Sequence, residues 1–131
     1  MQKFNHVCII DDDPIYVFTT RKLMEVSNLS KYIEIFKNGK EALDTLKPRI
    51  EVGEKVPEVI LLDLNMPVMD GWEFLDAFVS PDTEKIIIYV VSSSIDPADM
   101  QKAKEYSQVS NYVVKPITPQ RLKALFDEIE K

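Results

Sequence analysis

The stretch Val59-Ile60-Leu61-Leu62-Asp63-Leu64-Asn65-Met66-Pro67 decides the fold of this 131-residue chain. Its four leading aliphatic residues are too few for an independent helix and predict a strand that is buried on both faces. The strand pattern ends at Asp63, and Pro67 cannot continue a hydrogen-bonded ladder. We therefore expect a central strand of an open α/β sheet that delivers Asp63 to the carboxyl edge, where such sheets place their reactive groups.

The composition is that of one ordinary globular domain, and the charge argues against several classes of function. Hydrophobic residues make up 45% of the chain and charged residues 29%, with a net charge of −6. This charge and the lack of a basic cluster argue against nucleic acid or an anionic membrane as the main ligand. Cys8 is the only cysteine, and neither a signal-peptide core nor a membrane-spanning run is found. We predict a single cytoplasmic domain over residues 1–131.

Short apolar runs alternate with helix patterns five times along the chain. The predicted strands are residues 7–10, 32–36, 59–62, 86–91 and 112–114, and the predicted helices are 14–26, 40–46, 72–78, 97–106 and a last one from 119 onward. Asp13-Pro14 and Asp96-Pro97 have the chemistry of helix starts. The second helix is expected to stop near Pro48, ahead of a surface loop or frayed helix end over residues 49–57. The pattern predicts an α/β fold, with a doubly wound five-stranded parallel sheet and helices on both faces.

A few residues within these patterns are expected to serve the fold only. Glu34 predicts that the second strand lies at an edge or that this residue is near a strand end. His6, the only histidine, is expected at a surface or edge position, which argues against a histidine-based catalytic mechanism. Trp72, Phe74 and Phe78 are expected to pack the third helix rather than to form an aromatic cage.

Polar side chains follow four of the five predicted strands, and they are Asp11 with Asp12, Asp63, Ser92 and Lys115. In a parallel sheet these strand ends lie on one edge. Three carboxylates at ~4 Å repel one another by roughly 4 kcal/mol per pair at an effective dielectric of 20, which one ammonium does not offset. Because the available ligands are hard oxygens, we predict a bound Mg²⁺ ion, with Mn²⁺ able to substitute.

A hard divalent ion held by few carboxylates keeps open positions that suit a phosphoryl group. Asp63 is the predicted nucleophile, since it stands alone after the central strand and a carboxylate can form an aspartyl phosphate. Taken singly, an aspartate after a strand is usually an Asx turn or a helix cap, and capping fully accounts for Asp13. Complementary groups at four strand ends favour a functional site.

Four motifs carry a resemblance to a known family, and they are Ile9-Ile10-Asp11-Asp12-Asp13-Pro14, Leu61-Leu62-Asp63-Leu64-Asn65-Met66-Pro67 with Met69-Asp70-Gly71, Val91-Ser92-Ser93, and Tyr112-Val113-Val114-Lys115-Pro116. Together they resemble the receiver domain of two-component response regulators, of the chemotaxis-regulator type, over essentially the whole chain. The resemblance implies the strand order 2-1-3-4-5. It also implies a phosphorylation-activated signalling switch that acts through protein–protein contacts.

The resemblance also implies roles for the residues at the sheet edge. Asp63 is the expected phosphoacceptor, with a histidine kinase or a histidine phosphotransfer protein as donor. Asp11, Asp12 and the backbone carbonyl of Asn65 are expected to hold Mg²⁺ together with Asp63.

Three further residues match positions that respond to the phosphoryl group in this family. Ser92 corresponds to the hydroxyl that hydrogen-bonds the phosphoryl oxygen, although Ser93 stays an alternative because three serines are consecutive. Lys115 corresponds to the lysine that pairs with the phosphoryl group, and Lys115-Pro116 to a cis peptide bond. Tyr112 occupies the position of an aromatic switch. The expected readout surface consists of the fourth helix, the fifth strand and the fifth helix.

The sequence leaves other classes of function open. A small Mg²⁺-dependent phosphohydrolase with an aspartyl nucleophile needs an acid where Asn65 stands. A flavodoxin-like nucleotide binder needs a hydroxyl- or glycine-rich loop in place of the aspartates after the first strand. A phosphorylation-independent docking module would not need the complete acidic set. We therefore expect a stand-alone receiver with a downstream protein target, no direct DNA or membrane binding, and no enzymatic activity beyond self-catalysed phosphoryl acceptance and autodephosphorylation.

Overall fold

The computed structural model describes residues 4–129, in which strands and helices alternate along the chain. The strands are β1 (Phe4–Ile10), β2 (Ser30–Phe36), β3 (Val59–Leu62), β4 (Ile87–Ser92) and β5 (Val109–Val114). The helices are α1 (Pro14–Val26), α2 (Gly39–Val52), α3 (Gly71–Phe78), α4 (Pro97–Lys104) and α5 (Pro119–Asp127), with a 3₁₀ turn at Pro81–Thr83. All neighbouring strands are parallel and their order is β2-β1-β3-β4-β5, which confirms the predicted fold.

The sheet is covered on both faces, and β3 shows why its sequence is apolar throughout. Val59 and Leu61 pack in the core that contains buried residues of α1 and α5, whereas Ile60 and Leu62 pack in the core formed with α2 and α3. Because successive strand residues point to opposite faces, a central strand between two layers of helices needs an apolar residue at every position. This packing fixes β3 in the middle of the sheet.

Each helix begins at a polar side chain that accepts a hydrogen bond from its first turn, and these caps are Asp13, Asn38, Asp70, Asp96 and Thr118. The Asp13 carboxylate accepts from the N–H groups of Ile15 and Tyr16 at 3.0 and 3.3 Å, as the sequence predicted. Such caps satisfy backbone donors that have no partner inside the helix. In residues 4–129, no helix combines the length and the apolar character that a membrane span requires.

The prediction that α2 stops near Pro48 is wrong. The helix continues to Val52 and ends at Gly53, whose φ of 70° is readily available only to glycine and whose N–H contacts the carbonyls of Arg49 and Ile50. Proline lacks an N–H and usually breaks a helix. Here the next turn is retained because Ile50 packs on the core and Arg49 binds Glu34 through two hydrogen bonds of 2.7 and 3.0 Å.

The prediction that His6 is a surface or edge residue is also wrong. It lies within β1 and is only 7% exposed. Its Nε2 is 3.0 Å from a carboxylate oxygen of Glu34 on β2, and its ring lies 4.9 Å from that of Tyr32. Burial lowers the pKa of His6, while the Glu34 carboxylate acts in the opposite direction. Glu34 does lie on an edge strand, as predicted. Its carboxylate is paired there with Arg49 and His6, which explains why a charged residue is tolerated in this strand.

The strand and helix bounds also differ from the predictions by a few residues. β1, β2 and β5 start two to three residues earlier than predicted, and α4 ends at Lys104 instead of near Tyr106. The added strand residues include Asn5, Ser110 and Asn111, which carry no apolar pattern. Phe4 and Asn111 of these extensions pair with Ser30 and Tyr89 on the neighbouring strands. Sheet context thus overrides local propensity at the strand ends.

The aromatic residues of α3 divide between the core and the surface. Phe74 and Phe78 are buried and stack with ring centroids 4.7 Å apart, as expected for helix packing. Trp72 is half-buried and stacks on Tyr106, which follows α4, at 5.9 Å. The ammonium of Lys102 on α4 lies 4.7 Å from the centre of the Trp72 ring. This pair of rings connects α3 to the end of α4.

Candidate functional site

Asp63 lies at the carboxyl end of β3, where the sequence placed it. Its N–H donates to the carbonyl of Ile10 at 3.0 Å, so the pairing between β3 and β1 extends to this residue. The carboxylate is 6% exposed, and its Oδ1 accepts a hydrogen bond of 2.8 Å from the Leu64 N–H. The buried strand therefore holds this carboxylate at the sheet edge with one oxygen already engaged by the backbone.

Asp11 and Asp12 come from the end of the neighbouring strand β1. Asp11 is 2% exposed, and its Oδ1 accepts a hydrogen bond of 2.9 Å from the Asp13 N–H, whereas Asp12 is exposed. One carboxylate oxygen from each of Asp11, Asp12 and Asp63 lies within 4.8 Å of the other two. The structure thus brings together the three carboxylates that the sequence predicted would meet.

Lys115 reaches the same cluster from the end of β5. Its N–H donates to the carbonyl of Ser92 at 2.8 Å, and its Nζ lies 2.9 Å from Oδ2 of Asp11 and 3.6 Å from Oδ2 of Asp63. The ammonium also lies 4.4 Å from the centre of the Tyr16 ring. The Lys115–Pro116 peptide bond is cis, as the resemblance implies.

Ser92, whose carbonyl contacts Lys115, is joined to Tyr112 through Ser94. Ser92 is the last residue of β4 and is fully buried, whereas Ser93 is exposed. The Ser92 hydroxyl accepts a hydrogen bond of 3.1 Å from the Ser94 N–H, and the Tyr112 hydroxyl donates to the Ser94 carbonyl at 2.9 Å. Within residues 4–129, the Ser92 hydroxyl makes no hydrogen bond to Asp63. The roles predicted for Ser92 and Tyr112 stay predictions.

Burial and mutual repulsion make the carboxylates weaker acids than usual. Desolvation, reinforced by the charge of Asp11, raises the pKa of Asp63 from 3.8 to about 6, although Lys115 acts to lower it. Desolvation likewise raises the pKa of Asp11, against the opposing effect of Lys115. Burial raises the pKa of Tyr16 beyond its usual range, so this phenol stays neutral. The lysine therefore offsets only part of the cost of grouping these carboxylates.

The donor set fits a hard divalent cation. Asp11 Oδ2 is buried and, among the described residues, accepts no well-directed hydrogen bond even though the Lys115 ammonium is 2.9 Å away. All three side chains of the cluster offer carboxylate oxygens, which Mg²⁺ and Mn²⁺ prefer. Asn65 lies two residues beyond Asp63 and is exposed, and the role of its backbone carbonyl as a further ligand stays a prediction.

The raised pKa of Asp63 predicts that the site costs stability when no cation is bound. Between pH 3.8 and about 6, the folded protein retains a proton on Asp63 that the unfolded chain releases. The contribution of Asp63 to the free energy of unfolding therefore falls as the pH rises through that range, and it does not recover at higher pH. We expect Asp63→Asn to raise the free energy of unfolding by on the order of 2 kcal/mol at about pH 7.5, and by far less near pH 4.

Urea unfolding of both proteins in the presence of a chelator measures this difference. Added Mg²⁺ should then stabilise the unaltered protein more than the variant, because the variant lacks one anionic ligand. An equal difference in stability at both pH values would contradict the electrostatic explanation.

The similarity of this chain to known proteins shows which family has this arrangement of residues. A family model described as the response regulator receiver domain matches residues 7–127, a range that contains every residue of the cluster. The chain belongs to this family. A two-component response regulator from Cytophaga hutchinsonii is 32% identical to this receiver, with a TM-score of 0.85 over 98% of this chain and 97% of the other.

Two further proteins show how widely the similarity extends. The Mn²⁺-bound form of response regulator Rcp1 is 26% identical to this receiver, with a TM-score of 0.76 over 95% of this chain and 88% of the other. The probable methanogenesis regulatory protein FilR2 of Methanothrix harundinacea strain 6Ac is 27% identical over 126 residues, which are 95% of this chain and 81% of that protein. This receiver spans about half the length, 46% and 51%, of two other curated relatives.

Two contacts in this receiver were not predicted from the sequence. The contact between Tyr16 and Lys115 joins residues that are 99 positions apart in the chain. The sequence signal that could have indicated this contact is the position of Tyr16 in the first turn of α1, a helix that starts at the carboxyl edge of the sheet. The second is the bridge that Ser94 forms between Ser92 and Tyr112, for which the sequence contains no signal.

Proposed function

We propose that the chain is a phosphorylation-activated switch that accepts a phosphoryl group on Asp63 from the phosphohistidine of a histidine kinase or a histidine phosphotransfer protein. The observation that carries this proposal is the buried Asp63 carboxylate, with an ammonium 3.6 Å away and two more carboxylates at the same sheet edge. Membership of the receiver family supports the same assignment.

The hydrogen bonding of Asp63 distinguishes its two oxygens. Oδ1 accepts from the Leu64 N–H, whereas Oδ2 faces Lys115. We assign Oδ2 as the attacking oxygen. It forms a bond to phosphorus while the bond between phosphorus and the donor imidazole nitrogen breaks, and the imidazole departs with that electron pair. The Lys115 ammonium then pairs with an oxygen of the transferred group.

A divalent cation belongs to this proposal because the acceptor and the transferred group are both anionic. Asp11, Asp12, Asp63 and the backbone carbonyl of Asn65 would hold Mg²⁺, with Mn²⁺ able to substitute. The existence of a Mn²⁺-bound form of the similar response regulator Rcp1 supports a divalent cation in this proposal. When bound, the cation offsets the negative charge of the carboxylates and of the phosphoryl group. The raised pKa of both Asp11 and Asp63 supports the need for such a charge.

The output of the switch is a change of protein contacts, which we assign to the surface formed by α4, β5 and α5. We assign the Ser92 hydroxyl to the phosphoryl oxygen as its hydrogen-bond donor. The hydrogen bonds of Ser94 with Ser92 and with Tyr112 support a path by which a shift of Ser92 would reach Tyr112. A new dianionic group at Asp63 supplies the energy for this shift through charge-assisted hydrogen bonds. A downstream protein then distinguishes the two arrangements.

Incubation of the purified protein with acetyl phosphate and Mg²⁺ tests the proposal. We expect one phosphoryl group per chain, retained on the intact protein and released by hydroxylamine, as is characteristic of an acyl phosphate. A chelator should prevent the labelling, because the anionic site then repels the donor. Continuous hydrolysis of phosphate esters without a retained phosphoryl group would instead favour a phosphohydrolase.

A further inference from the structure

Lys115 contacts one group at the site that is neither an anion nor a hydrogen-bond acceptor. Its Nζ lies 4.4 Å from the centre of the Tyr16 ring, in addition to its contacts with Asp11 at 2.9 Å and Asp63 at 3.6 Å. The lysine side chain is 13% exposed and Tyr16 is 8% exposed, so water is largely excluded from this contact. A cation over an aromatic face is attracted most strongly when both groups are desolvated.

The Tyr16 hydroxyl does not account for the position of this ring. The hydroxyl is buried and forms no well-directed hydrogen bond with another described residue, although the buried Thr20 hydroxyl is close enough to affect its pKa. Buried phenols usually find a hydrogen-bond partner. Beyond the effect of burial, the Asp11 and Asp63 carboxylates also raise the pKa of this phenol, so neither of them favours its ionised form. The attractive charged contact of Tyr16 is therefore that between its ring face and the Lys115 ammonium.

The two carboxylates that hold Lys115 are the groups whose partners change during phosphoryl transfer. Asp11 has to ligate a cation, and Asp63 has to form a bond to phosphorus, so both ion pairs of Lys115 are weakened as the reaction proceeds. The ring face of Tyr16 is unaffected by either change. It also leaves the N–H donors of the ammonium available, because the attraction to the ring does not require a hydrogen bond.

We infer that Tyr16 is a positioning residue, whose ring face holds the Lys115 ammonium beside Asp63 while the carboxylates exchange partners. This inference rests on the proposed function, since it assigns Lys115 to the transferred phosphoryl group. It adds a residue of α1 to a site otherwise built from strand ends. It also separates the contribution of the aromatic face from that of the hydroxyl, which makes it testable by conservative substitution.

The rate of phosphorylation by acetyl phosphate in saturating Mg²⁺ tests this inference in a set of variants. Tyr16→Phe retains the ring face and should react within about twofold of the unaltered protein, whereas Tyr16→Met and Tyr16→Leu remove the face and should react roughly three- to tenfold more slowly. Phe18→Leu is the matched control, because it removes an exposed ring of the same helix and should leave the rate unchanged.

A second measurement separates positioning from a general effect on the fold. In a Lys115→Met background, Tyr16→Met should cause no further loss of rate, because the two residues act as a unit. Each rate is measured at a temperature where unfolding curves show that the variant is folded, and either Met or Leu suffices if the other does not fold.

Three outcomes would overturn the inference. Equal rates for Tyr16→Met and the unaltered protein, or a rate for Tyr16→Phe as low as that of Tyr16→Met, would each overturn it and leave the proposed function intact. An undiminished loss of rate in the Lys115→Met background would do the same. A lack of labelling in the unaltered protein would instead overturn the proposed function, and this inference with it.

Discussion

Replacing Asp63 with asparagine should reduce phosphoryl incorporation from acetyl phosphate and Mg²⁺ by roughly 100-fold or more, because the amide is a far weaker nucleophile than the carboxylate. The substitution preserves the shape of the side chain at a position that is 6% exposed, so the fold should be retained. It also removes one of three mutually repelling carboxylates, and the variant should be more stable than the unaltered protein in the absence of a cation. Loss of labelling in a more stable protein cannot be attributed to unfolding.

Asp13→Asn is the matched control for this experiment. Like Asp63, Asp13 is an aspartate that follows a strand, in this case β1. Its carboxylate, however, caps α1 by accepting from the N–H groups of Ile15 and Tyr16. Asparagine is as good a cap as aspartate, so the control should remain folded and should be labelled at close to the normal rate. If Asp63→Asn were labelled with the same yield as Asp13→Asn, the phosphoacceptor would be another residue.

Gly71→Ala should lower the free energy of unfolding by about 2 to 3 kcal/mol, because it forces extra volume into a backbone contact. A Cβ atom at Gly71 would lie 2.4 Å from the carbonyl oxygen of Asp63 and 2.9 Å from the Cα of Leu64. Neither neighbour is a flexible side chain, so the first turn of α3 or the loop after β3 has to move. Since that loop carries Asp63, we also expect slower phosphorylation.

Gly53→Ala provides the comparison, because this glycine has open space but a φ of 70°. It should cost about 1 kcal/mol through backbone conformation alone and should leave phosphorylation unchanged. Urea unfolding and the labelling rate measure both effects. A smaller loss of stability in Gly71→Ala than in Gly53→Ala would contradict the close approach between α3 and the loop after β3.

The fold and the centre of the site were predictable because both depend on patterns that are local in the sequence. An apolar strand run followed at once by a polar residue identifies the strand end, and parallel pairing brings all such ends to one edge. This reasoning alone places Asp11, Asp63 and Lys115 together, and the structure confirms their proximity.

The features that were not predicted depend on contacts between distant parts of the chain. α2 continues through Pro48 because Arg49 binds Glu34, 15 residues earlier. His6 is buried because Glu34 on the neighbouring strand offers it a polar partner. Local propensity contains no information on such pairs, since each depends on which element the fold brings alongside. The same limit applies to the contact between Tyr16 and Lys115.

The stacking of Trp72 on Tyr106 gives the protein an optical reporter of its own. Trp72 is the single tryptophan of the sequence, so its fluorescence arises from one known position on α3. Its ring is stacked on Tyr106, which follows α4, and lies under the Lys102 ammonium of α4, an element of the proposed output surface. A displacement of α4 relative to α3 would alter the polarity and the quenching groups around the indole. We therefore expect emission spectra to follow the proposed switch in solution without an attached dye.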